Sequence, residues 1–329
     1  MPMKIFPVFI PHQGCPYQCI YCNQHSITRS KLPEIEKIET EITAFCRKNI
    51  SEEKEIAFFG GTFTSLTKPS QQKYLDIANK FRNHISGIRI STRPDSIDPK
   101  VLIFCKENNV RTIELGIQSF NDEVLKKSLR GYNSETAINA CKLVKEHKFQ
   151  LGIQLMPGLP GFCRRSLENS INLTKKIFPH FVRIYPTIIL KRTKLENWFL
   201  SGKYTPLKLN EAVEIVSGML REFEQKGIRV IKIGLHSDIQ EEDIVSGPYH
   251  RSFGELVRAE ILKKNIIENY KPRTLIISSS DISLFKGFNS QMLKSLKLEL
   301  KLDKLPIIIN NKIKKSKFLF TEIPPLEYW

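Results

Sequence analysis

Long apolar runs are missing from this 329-residue chain. None approaches the roughly 18 residues that a membrane span requires, so no membrane partner is expected. The opening stretch, MPMKIFPVFIPH, is apolar but short, is broken by Pro2, Pro7 and Pro11, and has no small-residue cleavage site. It reads as a strand rather than a secretory leader, and a cytoplasmic location is expected. No internal repeat, low-complexity linker or G-x-G-x-x-G/A phosphate loop is present. Acidic residues are scarce beside basic ones: 34 Asp and Glu stand against 51 Lys and Arg, for a net charge of +17. Such an excess favours a polyanionic partner such as a nucleic acid. Joint richness in Lys, Ile and Asn is also what a biased genome composition produces. With 41% hydrophobic and 26% charged residues, the composition is that of an ordinary globular chain.

Seven cysteines is an odd number and does not suggest a disulfide framework. Cys46, Cys105, Cys141 and Cys163 lie mostly in apolar contexts and read as buried thiols, with Cys163 in a loop near the expected active face. The other three are bunched. Cys15, Cys19 and Cys22 follow a C-x3-C-x2-C spacing in GCPYQCIYCNQ. Three thiolates so close can hold three corners of one metal centre. On spacing alone they could ligate a [4Fe–4S] cluster with one iron left open, ligate zinc completed by His25 or His12, or serve as structural thiols. A zinc module usually brings its ligands in two pairs, and this chain does not.

From residue 4 to about 235, strand and helix patterns alternate. KIFPVFI, EIAFFGG, GIRISTRPD, VRTIELGIQSF, FQLGIQLMPGLPG and FVRIYPTII read as strands, with IRVIKIGLHS as a further one. Helices are predicted over 34–48, from Pro69 to His84, from Pro99 onward, and over Ser134–His147, Arg164–Ile177 and Asn210–Lys226. Repeated βα units argue for an α/β fold, a partial (β/α)6-type TIM barrel of parallel strands over 1–235. Residues 236–329 are expected to form an extension that closes the barrel and carries a small α/β appendage. That appendage is built from TLIISSS, a helix near Gln291–Leu300, PIIINNK and FLFTEI. The run KIKKSKF reads more readily as a solvated edge than as a binding site. In such a barrel the chemistry sits at the C-terminal ends of the strands. The cysteine loop, Gly60-Gly61-Thr62, Ser91-Thr92-Arg93, Gln118, Gln154 and Tyr185 should therefore converge on one face.

GCPYQCIYCNQ, followed one βα unit later by FFGGTF, resembles the radical S-adenosylmethionine (SAM) superfamily. The resemblance implies that Cys15, Cys19 and Cys22 ligate a [4Fe–4S] cluster whose open iron is chelated by SAM. It places Tyr21 near the adenine and the backbone of Gly60, Gly61 and Thr62 near the methionine ammonium. IELGIQSF, LRGY and QLMPGLPG are similar to segments of the coproporphyrinogen III dehydrogenase group and of the radical SAM half of the Elongator catalytic subunit. By that similarity Gln118 and Gln154 contact the ribose or methionine portion of SAM, and Arg130 contacts its carboxylate. Ser91 joins this cofactor-facing set, at a position where the coproporphyrinogen group carries a glutamate. RPD at 93–95 and IYPTII followed by KRTKLENWFLSGKY look more like the Elongator branch. They place Tyr185, Pro186, Thr187, Lys191, Arg192 and Thr193 on the substrate side.

The resemblance covers roughly residues 5–265 and includes no acetyltransferase domain. GPYHRSFGEL resembles the short, acetyltransferase-less relatives, and its His250 is expected to be a hydrogen-bonded turn residue rather than a proton donor. The implied function is reductive cleavage of SAM to a 5′-deoxyadenosyl radical, with a one-electron donor as partner and RNA, most naturally tRNA, as substrate. The rivals are a radical SAM enzyme acting on a small molecule and a zinc-stabilised nucleic-acid-binding protein without catalysis.

Overall fold

The computed structural model describes residues 3–23, 34–48, 53–235 and 239–323. The chain divides into two compact units, Met1–Ala212 with Glu222–Tyr249, and Val213–Arg221 with His250–Trp329.

In the first unit the elements are, in order, β1 (Lys4–Phe9), α1 (Ile35–Arg47), β2 (Lys54–Phe59), α2 (Lys68–Asn79), β3 (Gly87–Thr92), α3 (Pro99–Glu107), β4 (Val110–Gln118), α4 (Asp122–Lys127), α5 (Ser134–Glu146), β5 (Gln150–Leu155), α6 (Arg164–Ile177), β6 (Phe181–Ile184), β7 (Ile189–Leu190), α7 (Lys194–Leu200), α8 (Leu209–Gln225, shared with the second unit), β8 (Arg229–Ile233) and β9 (Ile244–Ser246). Seven strands pair in the order β1-β2-β3-β4-β5-β6-β8, every neighbour parallel. This is the expected partial barrel, with IRVIKIGLHS supplying its seventh strand. The helix starts follow from their caps. Thr67 accepts from the Ser70 N–H ahead of Pro69, Asp98 from Val101 ahead of Pro99, Asn121 from Val124, and Asn133 from Thr136.

Strand alternation sorts the side chains onto two faces. Ile56 and Phe58, Ile88 and Ile90, Ile113 and Leu115, Ile153 and Leu155 are all buried on one face. The other face carries a polar row through the middle of the sheet: Glu55 on β2, Arg89 and Ser91 on β3, Thr112, Glu114 and Gln118 on β4, Gln154 on β5 and Arg183 on β6. Much of this barrel's interior is therefore ionic rather than filled with aliphatic side chains.

FVRIYPTII is not one strand. β6 ends at Ile184, and Ile189–Leu190 pairs instead with β9 in an antiparallel ribbon. Pro186, which has no N–H to give a ladder, stands between the two. The helix opened by Pro69 stops at Asn79, and tight turns occupy 81–84.

The second unit holds α9 (Phe253–Glu268), β10 (Thr274–Ser278), α10 (Ile282–Leu300), β11 (Ile307–Asn310) and β12 (Phe318–Thr321). β10 is central, parallel to β11 and antiparallel to β12. Leu262, Ile266, Leu275, Ile277, Phe285 and Leu296 form its core. α10 begins nine residues before the Gln291 start read from sequence, because Leu284 and Phe285 already bury its first turn.

Candidate active site

The cysteine loop leaves β1 and is pinned by the loop that leaves β2. The His12 N–H donates to the Gly60 carbonyl at 2.9 Å and the Thr62 N–H to the Gln13 carbonyl at 2.8 Å. The contact is backbone against backbone. A Cβ on Gly61 would lie 2.4 Å from the Gln13 oxygen, and one on Gly14 would lie 2.3 Å from the Thr62 oxygen, so only glycine fits either position. Cys15 Sγ then stands 3.3 Å from Thr62 Oγ1.

At the other end of the loop, Cys19 and Tyr21 are buried. Arg130 Nη1 lies 3.1 Å from Cys19 Sγ and donates to the Tyr21 hydroxyl at 3.0 Å. Arg130 is itself held by the Tyr132 hydroxyl, 2.9 Å from Nη2, and by the Gly116 carbonyl. Arg93 extends this cluster: it pairs with Asp95 at 2.8 Å and donates to the Arg130 carbonyl. Burial pushes the Tyr21 phenol well above its ordinary range, so it stays protonated at neutral pH.

Cys15, Cys19 and Cys22 all line one cavity of about 200 Å³ at the C-terminal ends of the strands. Every residue read from the sequence as cofactor-facing lies on its wall: Tyr21, Gly60, Gly61 and Thr62 from the first two loops, Ser91 from β3, Gln118 from β4, Arg130, and Gln154 from β5. Gln118 is distinctive. It adopts a left-handed backbone, φ 69°, which a non-glycine residue rarely holds, and its buried Oε1 has no hydrogen-bond partner among the described residues. A strained backbone and an unused buried acceptor on the cavity wall make Gln118 a candidate ligand contact.

Of the substrate-side residues, Tyr185 and Pro186 reach the cavity. The others make local contacts, and Arg192 also lines a second hollow beside the cysteine loop with Cys15 and Cys22. The Thr187 hydroxyl donates to the Pro157 carbonyl at 3.0 Å, Thr193 caps α7, Arg192 pairs with Asp243 at 3.3 Å, and the Lys191 N–H bonds the Asp243 carbonyl. His250 accepts from the Ser252 N–H at 3.1 Å as α9 begins, the turn role expected of it. Cys46, Cys105 and Cys141 are buried thiols. Cys163 is not: it is exposed at the N-cap of α6, because the loop before that helix lies on the surface.

Sequence reasoning missed the charged floor of the cavity. Glu114 is fully buried and accepts from Arg89 Nη1 at 2.7 Å, Arg183 Nη2 at 3.0 Å and Gln154 Nε2 at 3.2 Å. Arg89 also pairs with Glu55, which accepts from Thr112 at 2.8 Å. Burial alone would raise the Glu114 carboxyl. Arg183 and Arg89 outweigh it and hold the group below the ordinary carboxylate range. Burial pushes the neighbouring Tyr185 phenol up. Both Glu114 and Arg183 line the cavity. The signal was available in the sequence: counting by twos toward the N-terminus from Gln118 or Tyr185 reaches them.

The donor set suits an iron–sulfur cluster. Three cysteines outside any disulfide share one wall, and soft thiolates are its usual ligands. Among the described residues no three His, Cys, Asp or Glu side chains are grouped to hold a single metal ion. His25, weighed as a zinc ligand, lies outside the described residues.

Residues 9–174 match the model of the radical SAM superfamily. The chain belongs to this superfamily. Residues 179–263 match the radical SAM C-terminal domain. Radical SAM enzymes use a [4Fe–4S] cluster and SAM. Among curated relatives, the tRNA uridine(34) acetyltransferase of Methanocaldococcus infernus is 27% identical over 264 residues, covering 73% of this chain and 47% of that protein. The heme chaperone HemW of Bacillus subtilis is 26% identical over 239 residues, covering 70% of this chain and 62% of its own length. The chain thus spans about half the length of the curated relatives it matches. Among solved structures, the archaeal Elp3 of M. infernus with residues 1–46 deleted superposes with a TM-score of 0.64 at 23% identity, over 80% of this chain and 63% of that one. That likeness shows the fold alone. Among the described residues, no helix is long and apolar enough to cross a membrane.

Proposed function

We propose that this chain is a radical SAM enzyme that cleaves SAM reductively and modifies RNA, most naturally tRNA. The observation that carries the reading is the convergence of three cysteines and eight further residues on one cavity wall. Cys15, Cys19 and Cys22 would hold a [4Fe–4S] cluster. When bound, the cluster and SAM would supply a 5′-deoxyadenosyl radical able to take a hydrogen atom from substrate.

The protein's own part is placement and exclusion of water. Gly60, Gly61 and Thr62 present backbone groups to the methionine ammonium. Gln118 would contact the ribose or methionine portion of SAM, with Gln154 and Ser91 on the same wall. Arg130 offers charge to the SAM carboxylate while holding Cys19 and Tyr21 in place. Glu114 and Arg183 form a fixed polar floor, and Tyr185 and Pro186 face substrate. An external one-electron donor is required. Support for RNA comes from the net charge of +17 and from a relative whose name specifies a tRNA uridine. The similarity to a heme chaperone, nearly as extensive, keeps a small-molecule substrate as the second reading.

The test is anaerobic reconstitution with iron and sulfide, then SAM and dithionite, with and without bulk tRNA. We expect 5′-deoxyadenosine from the parent and none from Cys15→Ala, Cys19→Ala or Cys22→Ala. A full iron and sulfide complement in those variants would refute the ligand assignment. A tRNA that neither binds nor changes turnover would favour the small-molecule reading.

A further inference from the structure

Positive charge is not spread evenly along this chain. Between Lys263 and Lys317 there are thirteen Lys and Arg against four Asp and Glu. The family-matched segments end at residue 263, so the radical SAM chemistry does not account for this concentration.

The fold arranges these cations in two ordered groups. Lys294, Lys297 and Lys301 follow i, i+3, i+7 spacing on one face of α10 and its C-cap, and Lys304 follows in the link to β11. Lys312, Lys314, Lys315 and Lys317 occupy the link between β11 and β12. That link is tied down, since the Ser316 N–H donates to Asp281 Oδ2 at 2.6 Å, where α10 begins. All eight side chains are exposed except that of Lys297, which is half-buried. Among the described residues none of the eight pairs with a carboxylate, whereas Lys263, Lys264 and Arg273 of the same unit do. Lysines at the end of α10 also favour the helix dipole. That explanation does not reach the four on the β11–β12 link, which lie at no helix C-terminus.

Exposed lysines that pair with no carboxylate among the described residues suit a run of phosphates. Among its described residues the unit offers no stacking platform for unpaired bases. Phe318 and Phe320 pack against its core, and its exposed large apolar residues, such as Leu298 and Leu319, are aliphatic among the described residues. We infer that the Lys263–Thr321 α/β unit is a sequence-independent docking surface for the phosphate backbone of a folded RNA. This inference rests on the reading of RNA as substrate and assigns the grip on it to a part of the chain outside the family-matched segments.

The experiment uses the full chain and unfractionated tRNA, with affinity measured across a salt series. Two variants carry four Lys→Gln changes each, one at Lys294, Lys297, Lys301 and Lys304, the other at Lys312, Lys314, Lys315 and Lys317. A control carries the same change at the exposed Lys100, Lys106, Lys126 and Lys142. Each phosphate that is no longer neutralised should lower the slope of log affinity against log salt by about 0.9 where the RNA is double-stranded. We expect the two surface variants to lose about 2–4 in slope and at least about tenfold in affinity at low salt. The control should stay within about twofold, and RNA-free SAM cleavage should be unchanged in all three. Surface variants that match the control would overturn the docking surface while leaving RNA as substrate intact. A parent chain that binds no tRNA even at low salt would overturn both readings. A parent that binds vesicles rich in phosphatidylserine in preference to tRNA, through the same lysines, would replace RNA by a membrane.

Discussion

At the scale of single residues, Gln118 makes the sharpest prediction. Glycine tolerates its left-handed backbone without strain, so Gln118→Gly should leave the melting temperature of the metal-free protein unchanged or higher. The same variant should lose roughly 3- to 10-fold in SAM affinity after reconstitution, the worth of one or two hydrogen bonds. Unchanged SAM affinity would remove Gln118 from the binding set. Glu114 answers to a different measurement. Glu114→Gln removes the anion that faces two buried guanidiniums and should cost about 3–5 kcal/mol of stability. Its folded pKa is lowered, so the carboxylate's contribution is complete above the unfolded value of about 4.3 and is lost as pH falls through the folded value. Parent and variant should therefore differ most near neutral pH and converge in acid, as thermal melts at a series of pH values will check. The cofactor-facing polar residues were legible because they stand at strand ends beside a recognisable loop. Glu114 and Arg183 were reachable by the same alternation but were passed over, and Arg89 with them, because charge inside a strand is usually read as an exposed edge. Only pairing among three strands neutralises it.

At the scale of elements, the loop pairing that carries the cysteines depends on a glycine. Gly61→Ala would drive a methyl group into two backbone oxygens, so it should lower both thermal stability and iron incorporation. Gly218→Ala, on α8 with nothing within 4 Å, should instead raise stability by roughly 0.5–1 kcal/mol. Differential scanning calorimetry on the two variants distinguishes a close-approach glycine from an incidental one. Helix starts were readable wherever a cap residue precedes a proline or an acid, as at Thr67 and Asp98. The short α4 and α7 escaped notice because six or seven residues hold too little periodicity. In α10 the stretch from Gly287 to Ser290 hid a continuous helix, since its polarity resembles a turn while the flanking Phe285 and Met292 are buried.

At the scale of the whole molecule, the thiols outside the cavity form a map of its stability. Hydrogen bonds from Ser166 pull the exposed Cys163 thiol below its ordinary range, so iodoacetamide near pH 7.5 should reach it early. Cys105 and Cys141 are buried, with thiols pushed up to about 12, and should be alkylated only when the chain unfolds globally. Peptide mapping along a urea series will show this, and early labelling of Cys105 would reveal local opening of α3 instead.

The all-parallel order of the main sheet carries a consequence for tempo. No two of its neighbouring strands can meet through a tight hairpin, and each pair closes only after a long connection has been traversed. The chain should therefore fold slowly and leave sticky strand rims open to neighbours meanwhile. Cooler growth and dilute refolding should recover more of it than rapid synthesis at 37 °C.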